Sequence, residues 1–104
     1  MPLSPEQSKQ YRSIGHQLKP VVIVNGLAEG VLAEVARALH DHELIKIRIN
    51  TEDRDEKKLL VQAICAQLDA ELVQLIGNVA LLLKPARQPN PRLSNLLRHK
   101  NLLG

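Results

Sequence analysis

The sequence predicts a small α/β domain in which helices alternate with strands in the order α-β-α-β-α-β-β. A β-branched run, Val21–Val24, leads directly into an amphipathic helical pattern. Isoleucines recur at every second position of Glu43–Ile49, and Gly77-Asn78 joins two apolar runs in the manner of a β-hairpin. Because helices that alternate with strands imply right-handed β-α-β crossovers, and the hairpin adds an antiparallel pair, we expect a small mixed four-stranded sheet with helices packed on it.

The composition indicates one domain with an aliphatic core. The chain has 104 residues, of which 44% are hydrophobic, but it contains no Phe or Trp and one Tyr. The core must therefore consist of Leu, Ile, Val and Ala. Because an RNA-binding platform of the RNA-recognition-motif kind needs exposed aromatic rings for base stacking, the composition excludes that mode of recognition.

The first helix begins at a capping sequence. Ser4 is a good N-cap, Pro5 suits the first helical position, and Gln7 can reach back to the N-cap backbone. The helix is expected to run to about Leu18 and to stop before Pro20. Its buried face is formed by Tyr11, Ile14 and Leu18.

The next unit is a strand followed by a helix. Every position of Val21–Val24 is apolar, which predicts a strand buried on both faces, either central or covered on both sides. The helix after it is expected over about residues 27–41. Its buried side consists of Leu27, Val31, Leu32, Val35 and Leu39.

The second half of the domain contains a strand, a helix and a hairpin. The alternation in Glu43–Ile49 places the isoleucines in the core and leaves the other face partly basic. Asp53 and Glu56 provide a start for a helix over about residues 54–69. Its buried stripe consists of Leu60, Val61, Ile64, Cys65 and Leu68. The strands Glu71–Ile76 and Val79–Leu83 complete the sheet.

Charge and composition change near residue 85. Residues 1–84 hold ten Lys/Arg and eleven Asp/Glu, whereas residues 85–104 hold four Lys/Arg and no acid. We therefore expect a domain over residues 1–85 and a basic, mobile tail over residues 86–104. The leucines of this tail could also form one short helix or dock loosely on the domain.

Catalytic chemistry finds little support in the sequence. His40 and His42 are two apart at a helix end and do not face each other, and Cys65 falls in an apolar stripe. The acidic cluster around Asp53 is interrupted by Arg54, which favours a solvated helix start over a metal site. We predict no enzyme activity, no catalytic residue, no metal and no cofactor. The single cysteine, with no signal peptide and no apolar run of about eighteen residues, favours a soluble, cytoplasmic protein.

The junction at Asn25-Gly26 is the strongest candidate for a binding site. Glycine lets the backbone approach a ligand closely, and the first N–H groups of the following helix have no intrahelical partner. Such groups favour anions, and phosphate above all. Two alternatives stay open: the junction binds nothing, or Gly26 and Gly30 serve only turn geometry and close packing.

Basic side chains spread along the chain could neutralise several phosphates if they share one face of the domain. The candidate RNA-binding positions are Lys19, Asn25, Gly26, Gly30, Lys46, Arg48, Arg54, Lys57, Lys58 and Lys84.

Five motifs follow one another along the chain: Leu18–Val22, Asn25–Val31, His42–Lys46, Thr51–Arg54 and Ile76-Gly77. In this order they resemble the CRM domain, most closely its bacterial single-domain form, the YhbY-type ribosome-assembly proteins, and the resemblance covers about residues 3–85. It implies the same element order and a fold similar to the C-terminal domain of translation initiation factor three. The family loop usually reads Gly-x-x-Gly; here it is about two residues shorter, and only its last glycine has a match.

The resemblance also implies a function. Family members bind RNA without catalysis, and the bacterial ones associate with precursors of the large (50S) ribosomal subunit. We therefore expect a ribosomal RNA precursor and the pre-50S particle as partners, and no membrane. The alternative is a protein-interaction domain that docks on a ribosomal protein or self-associates through the tail leucines and a strand edge. The oligomeric state is not determined by the sequence.

Overall fold

The computed structural model describes residues 3–100. Its elements confirm the predicted order and add a short C-terminal helix. They are α1 (Pro5–Gly15), β1 (Pro20–Val24), α2 (Glu29–His42), β2 (Leu44–Ile49), α3 (Arg54–Leu68), β3 (Glu71–Ile76), β4 (Val79–Leu83) and α4 (Asn95–Arg98).

The four strands form one mixed sheet in the order β1-β2-β4-β3. Strands β1 and β2 are parallel, with Val22 opposite Ile47, and α2 connects them as the crossover of a β-α-β unit. Strand β4 is antiparallel to both β2 and β3. The predicted small mixed sheet with packed helices is therefore confirmed.

The two faces of the sheet carry different helices, and we name them accordingly. The helix face packs against α2 and α3, and its core includes Val24, Ile47, Ile64 and Leu82, all fully buried. The open face packs against α1 and α4 over part of its area, around Ile14, Leu44, Leu81 and Leu83. Along β2, the isoleucines point to the helix face as the alternation predicts.

The prediction that β1 is buried on both faces is wrong. Strand β1 is an edge strand, and only Val22 and Val24, on the helix face, are buried. Val21 is 50% exposed and Ile23 is 61% exposed. A fully apolar run does not show which side of a strand is exposed. That depends on helix α1, which covers the part of the open face near β4 and leaves β1 uncovered.

The ends of α1 and α3 show how local sequence sets the helices. Ser4 and Gln7 form the predicted capping box, and Asp53 accepts a hydrogen bond from the backbone N–H of Glu56. Helix α1 ends at Gly15, three residues earlier than predicted. A Cβ at Gly15 would lie 2.7 Å from a methyl carbon of Leu81, so this glycine allows α1 to pack closely on β4.

The hairpin between β3 and β4 turns at Gly77-Asn78, as predicted. Gly77 has a φ of 55°, in the left-handed region where glycine pays no steric cost. Glu43, the C-cap of α2, adopts a φ of 63° and is the single residue between α2 and β2.

Residues 86–98 return to the domain. The buried Glu43 carboxylate accepts hydrogen bonds from the Ala86 N–H (2.7 Å) and the Ser94 hydroxyl (2.5 Å). The Asn95 side-chain amide donates to the Leu44 carbonyl at 2.7 Å, and Leu96 joins the core of the open face. The mobile tail over residues 86–104 stays a prediction, and its last four residues lie outside the described range; within residues 86–98, these hydrogen bonds hold the segment against Glu43 and Leu44.

Candidate functional site

The carboxyl ends of β1 and β2 lie at the same end of the sheet as the hairpin turn between β3 and β4. We call this end of the sheet the loop end. Asn25 follows β1 and Asn50 follows β2, and the Asn50 side-chain amide donates to the Asn25 side-chain oxygen at 2.5 Å. The Asn50 backbone N–H also donates to the Val24 carbonyl at 2.8 Å. The junction predicted to bind phosphate is therefore held by the neighbouring strand.

The N-terminus of α3 also lies at the loop end. The Lys57 ammonium donates to the Gly77 carbonyl at 2.9 Å, which joins α3 to the hairpin turn. Arg54, the first residue of α3, and Lys58 are exposed. Thus Asn25, Gly26 and the three basic residues of α3 approach one end of the molecule from separate parts of the sequence.

The N-terminus of α2 differs from those of α1 and α3. Its N-cap is Ala28, and no side chain caps it, whereas Ser4 and Asp53 cap the other two helices. The first N–H groups of α2, including that of Gly30, are thus left for solvent or a ligand. A negatively charged group at this position is favoured by the helix dipole.

Gly26 and Gly30 have no structural role that the fold explains. A Cβ built on either would meet nothing within 4 Å, and neither has a positive φ. Gly15 and Gly77 contrast with them, because close packing requires the first and backbone conformation the second. Turn geometry and close packing therefore do not account for Gly26 and Gly30 in the free protein.

Two basic residues of β2 lie on the open face. Arg48 is exposed and pairs with Ile23 of β1 and Val79 of β4, close to the loop end. Lys46 lies two residues earlier and is half-buried, and its ammonium donates to the Leu18 carbonyl at 3.3 Å. These two side chains continue the positive charge of the loop end along the open face.

The last two candidates lie at the opposite end of the sheet. Lys19 is exposed and precedes β1. Lys84 follows β4, and its ammonium donates to the Leu68 carbonyl at 2.7 Å, where it caps the C-terminus of α3. The structure therefore does not bring Lys84 to the loop end.

Sequence reasoning did not identify Asn50, Glu43 or Ser94. A signal for Asn50 exists, since Val24-Asn25 and Ile49-Asn50 end two parallel strands in the same way. A signal for Ser94 is the short capping sequence before α4, where its hydroxyl accepts from the Leu97 N–H at 3.3 Å. Nothing in the sequence indicates that Glu43 is buried.

Histidine, cysteine and acidic side chains are the other reactive groups of residues 3–100. No group of three or more His, Cys, Asp or Glu residues in this range could hold a metal ion. Burial raises the pKa of the Cys65 thiol to about 11, with a smaller contribution from the charge of Glu71, so the thiol stays protonated at neutral pH. In the same range, no helix is long and apolar enough to span a membrane.

Together these features define a small α/β domain with a basic loop end and an uncapped helix that offers backbone N–H groups to an anion. The chain belongs to the CRS1 / YhbY (CRM) domain family, whose model matches residues 3–84. The resemblance drawn from the five motifs is therefore confirmed.

Similar proteins match most of the chain. A protein from Pseudomonas aeruginosa, named a probable RNA-binding protein, is 53% identical over 94% of this chain and 96% of its own length. An RNA-binding protein from Haemophilus influenzae is 42% identical over 83% of this chain and 89% of its own length. The solution structure of a hypothetical Staphylococcus aureus protein, described as a candidate RNA-binding protein, superimposes with a TM-score of 0.73 at 26% identity, covering 83% of this chain and 92% of its own.

Proposed function

We propose that this protein binds RNA without catalysis, by contacts of its loop end and open face with backbone phosphates. The family match and the names of the relatives support RNA as the ligand. The single observation that carries the mechanism is the open space around Gly26 and Gly30, next to a helix N-terminus without a side-chain cap. Because neither glycine has a Cβ, a phosphate can approach the backbone more closely there than at a residue with a side chain.

The basic side chains then orient the polynucleotide. Arg54, Lys57 and Lys58 contribute from α3, and Lys46 and Arg48 from β2. Phosphate contacts of this kind fix the register of an RNA strand but carry little information about its bases. Because the chain has no exposed aromatic platform, RNA shape rather than base identity decides the preference.

The first test substitutes the glycines. Gly26→Ala and Gly30→Ala keep the fold, since nothing lies within 4 Å of either position, but they obstruct the approach of a phosphate. We expect each to weaken binding of a structured RNA, measured by fluorescence anisotropy, while the urea midpoint stays the same or rises. Gly15→Ala is the matched control, because it should lower the urea midpoint through its contact with Leu81.

A second test varies salt. Affinity for RNA should fall steeply as salt rises, with a log–log slope of about 0.7–0.9 per phosphate contacted. Arg54→Glu should weaken binding and reduce that slope, while circular dichroism shows an unchanged fold. A flat salt dependence contradicts the mechanism.

For the biological role, we propose a cytoplasmic assembly factor that binds a ribosomal RNA precursor in the pre-50S particle. The family resemblance supports this role. Crosslinking the protein to RNA in cells and mapping the contacted nucleotides tests it, with the Gly26→Ala variant as control. Crosslinks spread evenly over unrelated RNAs contradict the assignment to the large subunit.

The open face also supports docking of a protein as a second candidate function. Ile23 is 61% exposed and Ile76 is 64% exposed, and both are apolar side chains on the open face, in the two edge strands of the sheet. Charged substitution of Ile23 separates the two functions, because Ile23→Glu should prevent capture of a ribosomal protein or self-association. RNA affinity should then fall no more than the added negative charge explains.

A further inference from the structure

A cavity of about 320 Å³ opens between the C-terminal segment and the open face, away from the loop end. Three permanent cations line it: Lys19 before β1, Lys46 on β2 and Arg98 at the end of α4. His42 and His99 also reach its wall. None of the residues that line this cavity is an aspartate or a glutamate.

The C-terminal segment is fixed in the position that builds this cavity. The fully buried Ser94 donates its hydroxyl hydrogen to Glu43, and Asn95 donates to the Leu44 carbonyl. The Nδ1 atom of His42 lies 2.8 Å from the Leu93 carbonyl, where it acts as donor. Arg98 therefore stands on a helix that is anchored at its start by buried hydrogen bonds.

The residues that line the cavity carry positive charge, which attracts anions. A concave site lined by one sign of charge concentrates the electrostatic potential and attracts the opposite charge. The Lys46 ammonium has three N–H donors, of which the Leu18 carbonyl takes one. An arginine and two lysines on the wall of one cavity supply N–H donors of the kind that bind the oxygens of a phosphate group.

We infer that this cavity is a second phosphate site, completed by the C-terminal segment, which binds a phosphate group of the polynucleotide. The inference rests on the proposed function for the source of the phosphate. The family model ends at residue 84, so Arg98 and His99 add this site from outside the family domain. Strand β1 lies between Lys19 and Asn25, which are six residue steps or about 20 Å apart along the strand. An RNA strand along β1 therefore reaches both sites.

The test removes one positive charge at two matched positions. Arg98→Gln removes a cation from the cavity wall, whereas Arg92→Gln removes one from the same segment outside that wall; both arginines are exposed. We expect Arg98→Gln to weaken RNA binding about tenfold and to reduce the log–log salt slope by about one. Arg92→Gln should leave the slope unchanged. Equal effects of the two substitutions overturn the inference, because they indicate only a loss of net charge.

A titration with inorganic phosphate separates this inference from the proposed function. Backbone amide resonances of Asn95 and Arg98 should shift in the wild-type protein and stay unchanged in Arg98→Gln. If RNA is not bound but phosphate still shifts these resonances, the site stands and the proposed function fails. If Gly26→Ala weakens RNA binding while Arg98→Gln and added phosphate have no effect, the site fails and the proposed function stands.

Discussion

Both faces of the sheet carry apolar residues, but the faces differ in what covers them. On the helix face, α2 and α3 bury Val22, Val24 and the three isoleucines of β2. On the open face, α1 and α4 cover Leu44, Leu81 and Leu83 but leave Val21 and Ile23 exposed. Apolar character alone thus does not determine burial, because a side chain is buried only where another element packs on it.

The same difference separates the contribution of the helix face to stability from the contribution of the open face to binding. The helix face contains the larger core, so it contributes most of the hydrophobic stabilisation. The open face carries Lys46 and Arg48 between uncovered apolar residues, and its free area adjoins the loop end. We therefore expect substitutions on the helix face to change stability and substitutions on the uncovered part of the open face to change binding.

The largest effect should come from a matched pair of isoleucines. Ile47→Ala, on the helix face, should lower the free energy of unfolding by about 2–5 kcal/mol, because Ile47 is fully buried. Ile23→Ala, on the open face, should change it by about 0.5 kcal/mol or less, since this side chain is 61% exposed. Urea denaturation measures both, and equal losses would show that the outer side of β1 is packed.

A smaller effect is expected from the C-terminal segment. Truncation after Pro85 removes Ala86 and Ser94, the two donors to the buried Glu43 carboxylate. An uncompensated buried acceptor costs about 1–3 kcal/mol, so the truncated protein should unfold at lower urea. Truncation after Lys100 keeps both donors and serves as the control. An unchanged urea midpoint after Pro85 would mean that Glu43 finds other partners.

This dependence also affects how a tail deletion is interpreted. Loss of partner binding on deletion of residues 86–104 would combine the loss of a docking segment with destabilisation around Glu43. Point substitutions such as Arg98→Gln avoid that ambiguity, because they keep the hydrogen bonds of Ser94 and Asn95.

The smallest effect on stability concerns Cys65, which packs against the core of the helix face. Its pKa is raised from 9.0 to about 11 in the folded protein, so between these values the folded state binds the proton that the unfolded state has lost. Stability that is full below pH 9 should therefore fall as pH rises toward 11. Urea midpoints at pH 8 and pH 10 test this, and the decrease should be smaller in Cys65→Ala. An equal decrease in both proteins would assign it to other groups.

Local patterns determined most of the fold. The capping box at Ser4, the Asp53 cap and the turn at Gly77 each depend on chemistry within four residues, and all three were predicted. The alternation in β2 was predicted for the same reason, since its period of two reports which side chains share a face. The exposed outer side of β1 was not predicted, because its run is apolar throughout and carries no such period.

The candidate site was predictable in its chemistry but not in its arrangement. The sequence by itself determined an aliphatic α/β domain with a glycine-containing junction and many basic residues, because residue type and spacing encode those properties locally. Only the tertiary structure decided that Arg54 and Lys57 join Asn25 at the loop end, that Lys84 lies at the opposite end, and that Glu43 anchors the C-terminal segment. These relations depend on strand order and on contacts between residues far apart in the chain, which no local pattern contains.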